Sequence, residues 1–332
     1  MKYAPVLIAT LNRKKLFKNC IQSLAKCKGA SNTPLYIALD FPPSDIYVED
    51  YLEIKEFINE IDGFQKVEVI KRNENYGSRR NFLEARDYLF KKYDCVITSE
   101  DDNEFSENFL SFMNHGLKTY KDNPSILSIC GYMYPINNAR VSNQQFLYNG
   151  FSAWGWATWK EKYENLNFDI NEISNFFKNS SNVKSIKNRT LRNHLKQCIK
   201  NGMITSDSYM CFYQIKNDMY SVFPKETLVR NMGNDGSGKH CSENLKMHEI
   251  YKSQKYMNSF SENLMFNEIK VDHKLISKID AYLTNYTIER FLNYFKRLFF
   301  NRFLLLKSFF LFELSVGQFP HPFLYLLQLP KT

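Results

Sequence analysis

The sequence has no pair of cysteines at the Cys-x-x-Cys spacing and no long apolar run near its N-terminus. An odd set of scattered thiols excludes a disulfide framework or a paired-cysteine zinc site, and it is typical of small core residues in a reducing compartment. The first apolar run spans Val6 to Thr10 at most, which is too short for the core of a signal peptide. We therefore predict a cytoplasmic protein. The cysteines are Cys20, Cys27, Cys95, Cys130, Cys198, Cys211 and Cys241.

The sequence also lacks a continuous basic patch with interleaved aromatic residues. The formal net charge of +9 is compatible with a nucleic acid, an anionic membrane surface or a phosphorylated ligand as partner. Without such a patch we predict no nucleic-acid partner. With 44% hydrophobic and 24% charged residues, the chain of 332 residues has an ordinary globular composition and can bury one large core or two modest cores.

Strand-like and helix-like patterns alternate along the first ~130 residues. Apolar runs predict strands at 3–10, 34–39 and 67–70, and a fourth strand that ends in Glu100-Asp101-Asp102. Strands that alternate with helices predict parallel βαβ units with helices on both faces of the sheet. We divide the chain into an α/β half (1–130), a second half of the same domain (131–285) and a tail (286–332).

Three adjacent carboxylates end the fourth predicted strand. Ligands of open α/β sheets collect beyond the carboxyl ends of the strands, so Glu100, Asp101 and Asp102 are expected at the rim of a cleft. A hard divalent cation would relieve their mutual repulsion, and carboxylate oxygens are the ligands that Mg²⁺ and Mn²⁺ prefer. The alternative is a solvated acidic turn before the next helix, with Ser106 as its N-cap.

Beyond residue 130 the alternation of strands and helices ends. The three tryptophans lie within six residues, 154–159, in an aromatic and glycine-containing segment. We predict a close-packed loop there that lines a pocket, or a hydrophobic plug between the two halves. Asp207 lies at a predicted helix start, where it is either a base or only an N-cap. The glycine-rich segment 233–238 does not open a βα unit, and we interpret it as a flexible lid that ends in His240.

The tail has a different composition. Phenylalanines and leucines crowd a helix-compatible stretch from Tyr286 to Leu329 that also carries Lys296, Arg297, Arg302 and Lys307. Charges every few residues exclude a spanning helix, which needs ~20 predominantly apolar residues. We predict an amphipathic helix that lies in the membrane interface, and the alternative is packing against the catalytic domain or a second subunit.

In their order along the chain, these motifs resemble the GT-A glycosyltransferases, in particular bacterial family-two-like enzymes and the N-acetylglucosaminyltransferase that initiates complex N-glycans. The similarity runs from Tyr3 to His240, about 70% of the chain. The resemblance implies an α/β fold with a Rossmann-like nucleotide-sugar-binding half and a mixed sheet. In this chain a helical C-terminal tail would follow. The matching segments are Leu11-Asn12-Arg13, Asp40, Glu100-Asp101-Asp102, Ala153-Trp154-Gly155-Trp156, Asp207-Ser208-Tyr209-Met210, and Arg230 with the run to His240.

The resemblance implies an inverting transfer of a sugar from a nucleotide-sugar donor to a glycan or glycolipid acceptor, with Mn²⁺ or Mg²⁺ as cofactor. It implies Asp207 as the base and Asp102 and His240 as metal ligands. Asn12 and Ser208 depart from the aspartates of the family pattern. The residues predicted to bind the nucleotide sugar are Thr10, Arg13, Asp40, Arg79, Glu100, Asp101 and Trp156.

The chemistry of the residues agrees with such a transfer. A metal ion on Asp102 and a cationic Arg13 or Arg79 could stabilise the charge that develops on a leaving diphosphate. Two other classes stay open on the sequence alone. One is a sugar-phosphate nucleotidyltransferase with a similar acidic metal site, and the other is a non-catalytic carbohydrate- or lipid-binding protein. With the tail, the family resemblance predicts an enzyme on the inner face of the cell membrane that assembles surface polysaccharide or lipooligosaccharide.

Overall fold

The computed structural model describes residues 3–136, 144–235, 245–260 and 271–284. The strands are β1 (Val6–Thr10), β2 (Pro34–Leu39), β3 (Lys66–Lys71), β4 (Cys95–Glu100), β5 (Asn103–Phe105), β6 (Ile126–Cys130), β7 (Gln145–Tyr148), β8 (Trp156–Trp159), β9 (Tyr220–Pro224) and β10 (Val229–Asn231). The helices are α1 (Lys14–Ala25), α2 (Val48–Ile58), α3 (Gly77–Phe90), α4 (Phe109–Thr119), α5 (Lys160–Glu164), α6 (Ile170–Phe177), α7 (Ser180–Ser185), α8 (Arg189–Asn201), α9 (Ser206–Lys216) and α10 (Leu245–Ser253).

A mixed sheet organises the described residues. Its strand order is β3-β2-β1-β4-β8-β6-β9-β7. The first four strands are parallel, with Val6 opposite Leu35 on one side and Ile97 on the other. Strand β8 runs antiparallel to both β4 and β6, β9 is parallel to β6, and β7 is antiparallel to β9. The predicted α/β fold with a Rossmann-like half and a mixed sheet is confirmed.

Helices on both faces bury this sheet. Strand β2 is buried along its whole length, which explains why its sequence is a continuous apolar run without alternation. Helix α1 turns an apolar stripe of Phe17, Cys20, Ile21 and Leu24 onto the sheet. The aromatic residues Phe109 and Phe112 of α4 belong to the same core.

The tryptophan-rich segment is part of the sheet. The sequence predicted a close-packed loop or a hydrophobic plug there. Residues 149–155 lie outside the strands, but β7 and β8 are strands of the central sheet, and β8 lies between β4 and β6. A second, small sheet forms where β10 pairs antiparallel with β5, with Asn231 opposite Asn103. Ser106 is not the N-cap of α4, because the helix begins at Phe109 and Asn108 occupies the N-cap position.

Residues 1–280 form one compact unit, and residues 281–332 form a second. Most of the second unit, including the predicted tail, lies outside the described residues, so the tail and the proposed domain division remain predictions. No helix in the ranges given above combines the length and hydrophobicity needed to cross a bilayer. The six cysteines within these ranges are free thiols, as predicted, and Cys241 lies outside them.

Candidate active site

The strand order creates a crevice between β1 and β4. The chain moves from β1 outward through β2 to β3 and then returns to the other side of β1 as β4. The connections that leave β1 and β4 therefore diverge, and ligands of open α/β sheets bind in the crevice at such a switch point. Thr10 ends β1 and Glu100 ends β4 at this edge of the sheet.

The Arg13 guanidinium bridges two carboxylates across the crevice. Its Nη1 donates to Oδ2 of Asp102 at 2.8 Å, and its Nη2 donates to Oδ1 of Asp101. The Thr10 hydroxyl donates to the other oxygen of Asp101, Oδ2, at 2.9 Å. The two carboxylate side chains are only 7% and 8% exposed, and Arg13 is 21% exposed. The fold thus brings together predicted site residues that follow two different strands, β1 and β4, in one hydrogen-bonded group.

Burial dominates the electrostatics of this group. It is the main reason why the pKa of the Asp101 carboxyl is raised to about 6; the Arg13 charge lowers this pKa, and repulsion from Asp102 raises it. Burial also works against the charged form of Arg13, but the two carboxylates outweigh it and raise its pKa above the ordinary value. Arg13 therefore stays protonated and carries one positive charge. This single charge faces two carboxylates.

Glu100 places a third carboxyl group beside them. Its side chain is accessible to solvent, but the protein atoms packed around it still desolvate it and raise its pKa to about 8. The charges of Asp102, Asp207 and Asp101 raise this pKa further. Asp207 therefore lies close enough to the acidic group to interact with it electrostatically.

The loop after β10 contacts Asp102, a feature that the sequence did not reveal. The Asn231 side-chain amide donates to Oδ1 of Asp102 at 2.8 Å, and the Met232 amide donates to the Asp102 carbonyl at 2.8 Å. A Cβ atom on Gly233 would lie 2.1 Å from Oδ2 of Asp102. Only glycine fits beside this oxygen. In the sequence, only the glycine-rich segment 233–238 indicated that this loop has a special role.

Asp40 organises the loop beside the crevice. This residue is 3% exposed at the end of β2. Its Oδ1 accepts hydrogen bonds from the backbone amides of Phe41 and Tyr76, each at 2.9 Å, and its Oδ2 accepts a longer one of 3.4 Å from Asn75. A carboxylate oxygen can accept more than one hydrogen bond, so Oδ2 retains capacity for a ligand donor.

Arg79 connects α3 to the segment that precedes α9. Its Nη1 donates to the Ile204 carbonyl at 3.2 Å, and the residue is otherwise exposed. Thr205 caps α9, since its hydroxyl accepts from the Ser208 amide at 3.4 Å. Asp207 therefore lies in the first turn of the helix and is not its N-cap.

Asp207 has the properties of a base that works near neutral pH. Its side chain is accessible to solvent, but the surrounding protein desolvates the carboxylate and raises its pKa to about 6. A general base is most effective when its pKa lies near the working pH.

Trp156 does not lie where a ligand could stack on it. The side chain is 5% exposed, and its ring packs edge-on against Phe151 with centroids 4.8 Å apart. Its backbone pairs with Thr98 in the middle of the sheet. We correct the sequence prediction accordingly: Trp156 is a core residue. Trp154, before the strand, is half-buried and packs against Tyr132 at 4.6 Å.

Of the two predicted metal ligands, Asp102 lies in this group and His240 lies outside the described residues. Among the residues with described positions, no group of three or more histidine, cysteine, aspartate or glutamate side chains could hold a metal ion. A magnesium-type cation in a nucleotide site needs only one or two carboxylates, because the phosphates of the ligand complete its coordination. The buried, negatively charged pair of Asp101 and Asp102 fits that requirement.

Comparisons with known proteins were made by sequence and by structure. No protein-family model matches the chain, and no curated protein matches it by sequence. Among solved structures, the mannosyltransferase PcManGT from Pyrobaculum calidifontis, in complex with GDP-Man and Mn²⁺, is 12% identical over 50% of this chain and 46% of its own, with a TM-score of 0.36. TarS 1–349 from S. aureus, in complex with UDP-GlcNAc, is 16% identical over 41% of this chain and 35% of its own, with a TM-score of 0.29.

Mouse xyloside xylosyltransferase 1 is 11% identical over 66% of this chain and 83% of its own, with a TM-score of 0.35. The chain thus spans less than half the length of the first two structures. TM-scores of this size carry no argument about the fold. The description of the fold therefore rests on the strand order and register of this chain.

Proposed function

We propose that this protein is a GT-A glycosyltransferase that moves a sugar from a nucleotide-sugar donor, a UDP-sugar in our proposal, to a hydroxyl of a glycan or glycolipid acceptor. One observation carries the proposal. Arg13, the acidic group of Glu100 to Asp102, and Asp207 converge at the switch point between β1 and β4. This arrangement supports a nucleotide site, a cation site and a general base that lie side by side.

The donor end of the site would hold a diphosphate. Arg13 supplies a permanent positive charge at the crevice, and guanidinium groups bind phosphate oxygens in a forked geometry. Asp40 would accept a hydrogen bond from the nucleoside through the free capacity of Oδ2. Thr10 fixes Asp101, and through it Arg13, at the mouth of the crevice.

Mn²⁺ or Mg²⁺ would bind at Asp102, with His240 as the second ligand implied by the family resemblance. When bound, the cation would neutralise charge on the departing nucleoside diphosphate. The protein supplies the orientation, because Asn231 holds Oδ1 of Asp102. Gly233 allows the backbone of the β10 loop to pack closely against Oδ2 of Asp102, since a Cβ there would lie 2.1 Å from this oxygen.

Asp207 would take the proton of the acceptor hydroxyl. This hydroxyl has a pKa far above 7, so its attack on the sugar carbon needs a carboxylate that accepts the proton as the bond forms. At neutral pH a carboxyl with a pKa of about 6 is mostly ionised and can do so. A single displacement of this kind inverts the configuration at the anomeric carbon.

The test is hydrolysis and transfer with a panel of UDP-, GDP- and CMP-sugars, with and without Mn²⁺. We expect metal-dependent release of one nucleoside diphosphate, and its loss on Asp102→Asn. Formation of pyrophosphate from a sugar phosphate and a nucleoside triphosphate would instead show a nucleotidyltransferase. Sugar binding with no reaction of any donor would show a non-catalytic carbohydrate-binding protein.

We also propose that the tail attaches the enzyme to the inner face of the cell membrane, where it would act in surface polysaccharide or lipooligosaccharide assembly. Basic residues near an anionic leaflet contribute ~1 kcal/mol each, and the tail carries Lys296, Arg297, Arg302 and Lys307. Sedimentation with anionic and neutral liposomes tests this proposal. Changing these four residues to glutamine should reduce binding to anionic liposomes, and a wild-type protein that stays in solution with both would contradict it.

A further inference from the structure

Arg13 holds the two oxygens that a cation would need. Thr10 donates to Oδ2 of Asp101, and Asn231 donates to Oδ1 of Asp102. The remaining oxygen of each carboxylate, Oδ1 of Asp101 and Oδ2 of Asp102, accepts from Arg13. A divalent cation that binds this pair of oxygens would therefore lie beside the positively charged Arg13 guanidinium.

The backbone of Arg13 is fixed while its side chain spans the crevice. The Arg13 carbonyl accepts from the Phe17 amide at 2.9 Å in the first turn of α1. The side chain reaches from this helix start to the residues that follow β4, on the other strand of the switch point. Only a side-chain rotation is needed to release the carboxylates, because the backbone position does not depend on them.

The charges in the group favour an exchange. One guanidinium faces both Asp101 and Asp102, while Thr10 and Asn231 are neutral donors. The negative charge is thus only partly balanced by Arg13. A divalent cation would balance it more completely, and would repel a guanidinium that remained at the same oxygens.

Gly233 packs directly against one of these oxygens. A Cβ at this position would lie 2.1 Å from Oδ2 of Asp102, which is the oxygen that Arg13 holds at 2.8 Å. The backbone of the β10 loop therefore closes this oxygen on one side, and Arg13 reaches it from the start of α1.

We propose that Arg13 is an internal counter-ion that occupies the place of the divalent cation in the free protein and is exchanged for it when the nucleotide binds. The released guanidinium then becomes available to the diphosphate. This inference rests on the proposed function for the identity of the site. It has a consequence that the proposed function alone does not require: the free protein binds a divalent cation weakly, and removal of Arg13 strengthens that binding.

The experiment measures Mn²⁺ binding to the full-length protein, without nucleotide, from the electron paramagnetic resonance signal of free Mn²⁺. Arg13→Gln should bind Mn²⁺ about tenfold more tightly than the wild type, because a repelling charge is removed and two carboxylate oxygens are freed. Lys14→Gln is the matched control. It also removes one positive charge, at the next residue, but the Lys14 side chain faces Glu53 at 3.4 Å and not the acidic group. The Mn²⁺ affinity should therefore stay unchanged.

Thermal unfolding gives a second reading. Without Arg13 two buried carboxylates lose their cation, so Arg13→Gln should melt at a lower temperature than the wild type. Saturating Mn²⁺ should restore most of that loss, and should raise the melting temperature of the wild type much less. If Arg13→Gln does not fold, Arg13→Lys serves instead, since a lysine cannot bridge both carboxylates in the forked geometry and should give an intermediate Mn²⁺ affinity.

Equal or weaker Mn²⁺ binding by both Arg13 variants would overturn the proposal. So would a melting temperature of Arg13→Gln that Mn²⁺ does not raise. Failure of the proposed function is a separate result, because no donor sugar takes part in these measurements. If the wild type reacts with no nucleotide sugar but Arg13→Gln binds Mn²⁺ more tightly, the exchange of Arg13 for a cation is supported. The proposed transferase activity is then contradicted.

Discussion

Asn231 donates a hydrogen bond of 2.8 Å to Oδ1 of Asp102, across 129 residues of sequence. Its own side-chain oxygen accepts from the Gly233 amide at 3.1 Å and the Asn234 side chain at 3.3 Å. One amide group therefore connects the carboxylate that follows β4 to the loop that follows β10. The position of Asp102 depends on a contact between the two halves of the sequence.

We expect Asn231→Asp to be strongly destabilising. The substitution places a second carboxylate beside Oδ1 of Asp102, in a buried environment, and removes the hydrogen bond that held it. The free energy of unfolding should fall by about 3 kcal/mol, measured by urea denaturation. Asn217→Asp, on the exposed end of α9, is the control and should have little effect. Equal stability of the two variants would show that Asn231 does not hold Asp102.

Gly233→Ala should weaken donor binding and also destabilise the protein, by about 1–3 kcal/mol. The new methyl group would overlap Oδ2 of Asp102 and push the carboxylate from its position. Calorimetry with UDP and Mn²⁺ should show an affinity about tenfold lower or worse. Gly202→Ala is the control: it strains a left-handed residue at φ +67°, where no atom lies within 4 Å, and costs about 1 kcal/mol of stability without touching the site. Unchanged affinity in Gly233→Ala would exclude the close approach as a feature of the binding site.

Asp102→Asn should abolish metal-dependent binding of UDP. The amide keeps the shape of the side chain, and its oxygen can still face Asn231, but its nitrogen would then point at the Arg13 guanidinium. Both the charge and the Arg13 contact are lost. Titration calorimetry with UDP and Mn²⁺ checks this, with Glu104→Gln on the neighbouring strand β5 as control. The same affinity and metal dependence as the wild type would remove Asp102 from the site.

The first half of the fold could be predicted because its signals are local. Continuous apolar runs such as Pro34–Leu39 are buried on both faces, and the helices between them carry apolar residues at helical spacing. Thr10 and Glu100 each end a predicted parallel strand, so both were expected at the same edge of the sheet. The sheet pairing of β1 with β4 completed the group.

The remaining parts depend on pairing between distant segments. Strand β8 has four residues, all buried, and shows no alternation that would distinguish it from a packed loop. Trp156 was therefore mistaken for a ligand-stacking residue. Asn231 belongs to the three-residue strand β10, whose partner β5 lies more than a hundred residues earlier, so no periodicity indicated its contact with Asp102.

Lys162→Met should destabilise the protein without affecting donor affinity. The buried Lys162 ammonium donates to the carbonyls of Tyr120 at 3.0 Å and of Asn123 and Ile126 at 2.8 Å each, which ties the end of α4 to the start of β6. Methionine keeps the apolar stem but removes the charged donor of all three hydrogen bonds. We expect a loss of about 2–4 kcal/mol in the free energy of unfolding. Lys160→Met, at a half-exposed position two residues earlier, is the control, and an equal effect of both would contradict the assignment.

Asp207→Asn should lower sugar transfer by ~100-fold or more while donor binding is retained, because only the proton acceptor is removed. The pH dependence gives a second check. The pKa of Asp207 is raised to about 6 by desolvation, and a base must be deprotonated to act. The transfer rate of the wild type should therefore rise with pH through about 6 and level off above it, and the residual rate of the variant should lack this step.

The control for that experiment is Asp218→Asn, at the exposed end of α9, where asparagine tolerates the positive φ of 52° at least as well as aspartate. It should leave both the rate and the pH profile unchanged. Single-turnover rates with a saturating donor, measured from pH 5 to pH 8, separate chemistry from binding. A transfer rate within a few-fold of the wild type in Asp207→Asn, or a variant that keeps the step near pH 6, would mean that another carboxylate accepts the proton; Glu100, whose pKa the Asp207 charge helps to raise, is then the next residue to change.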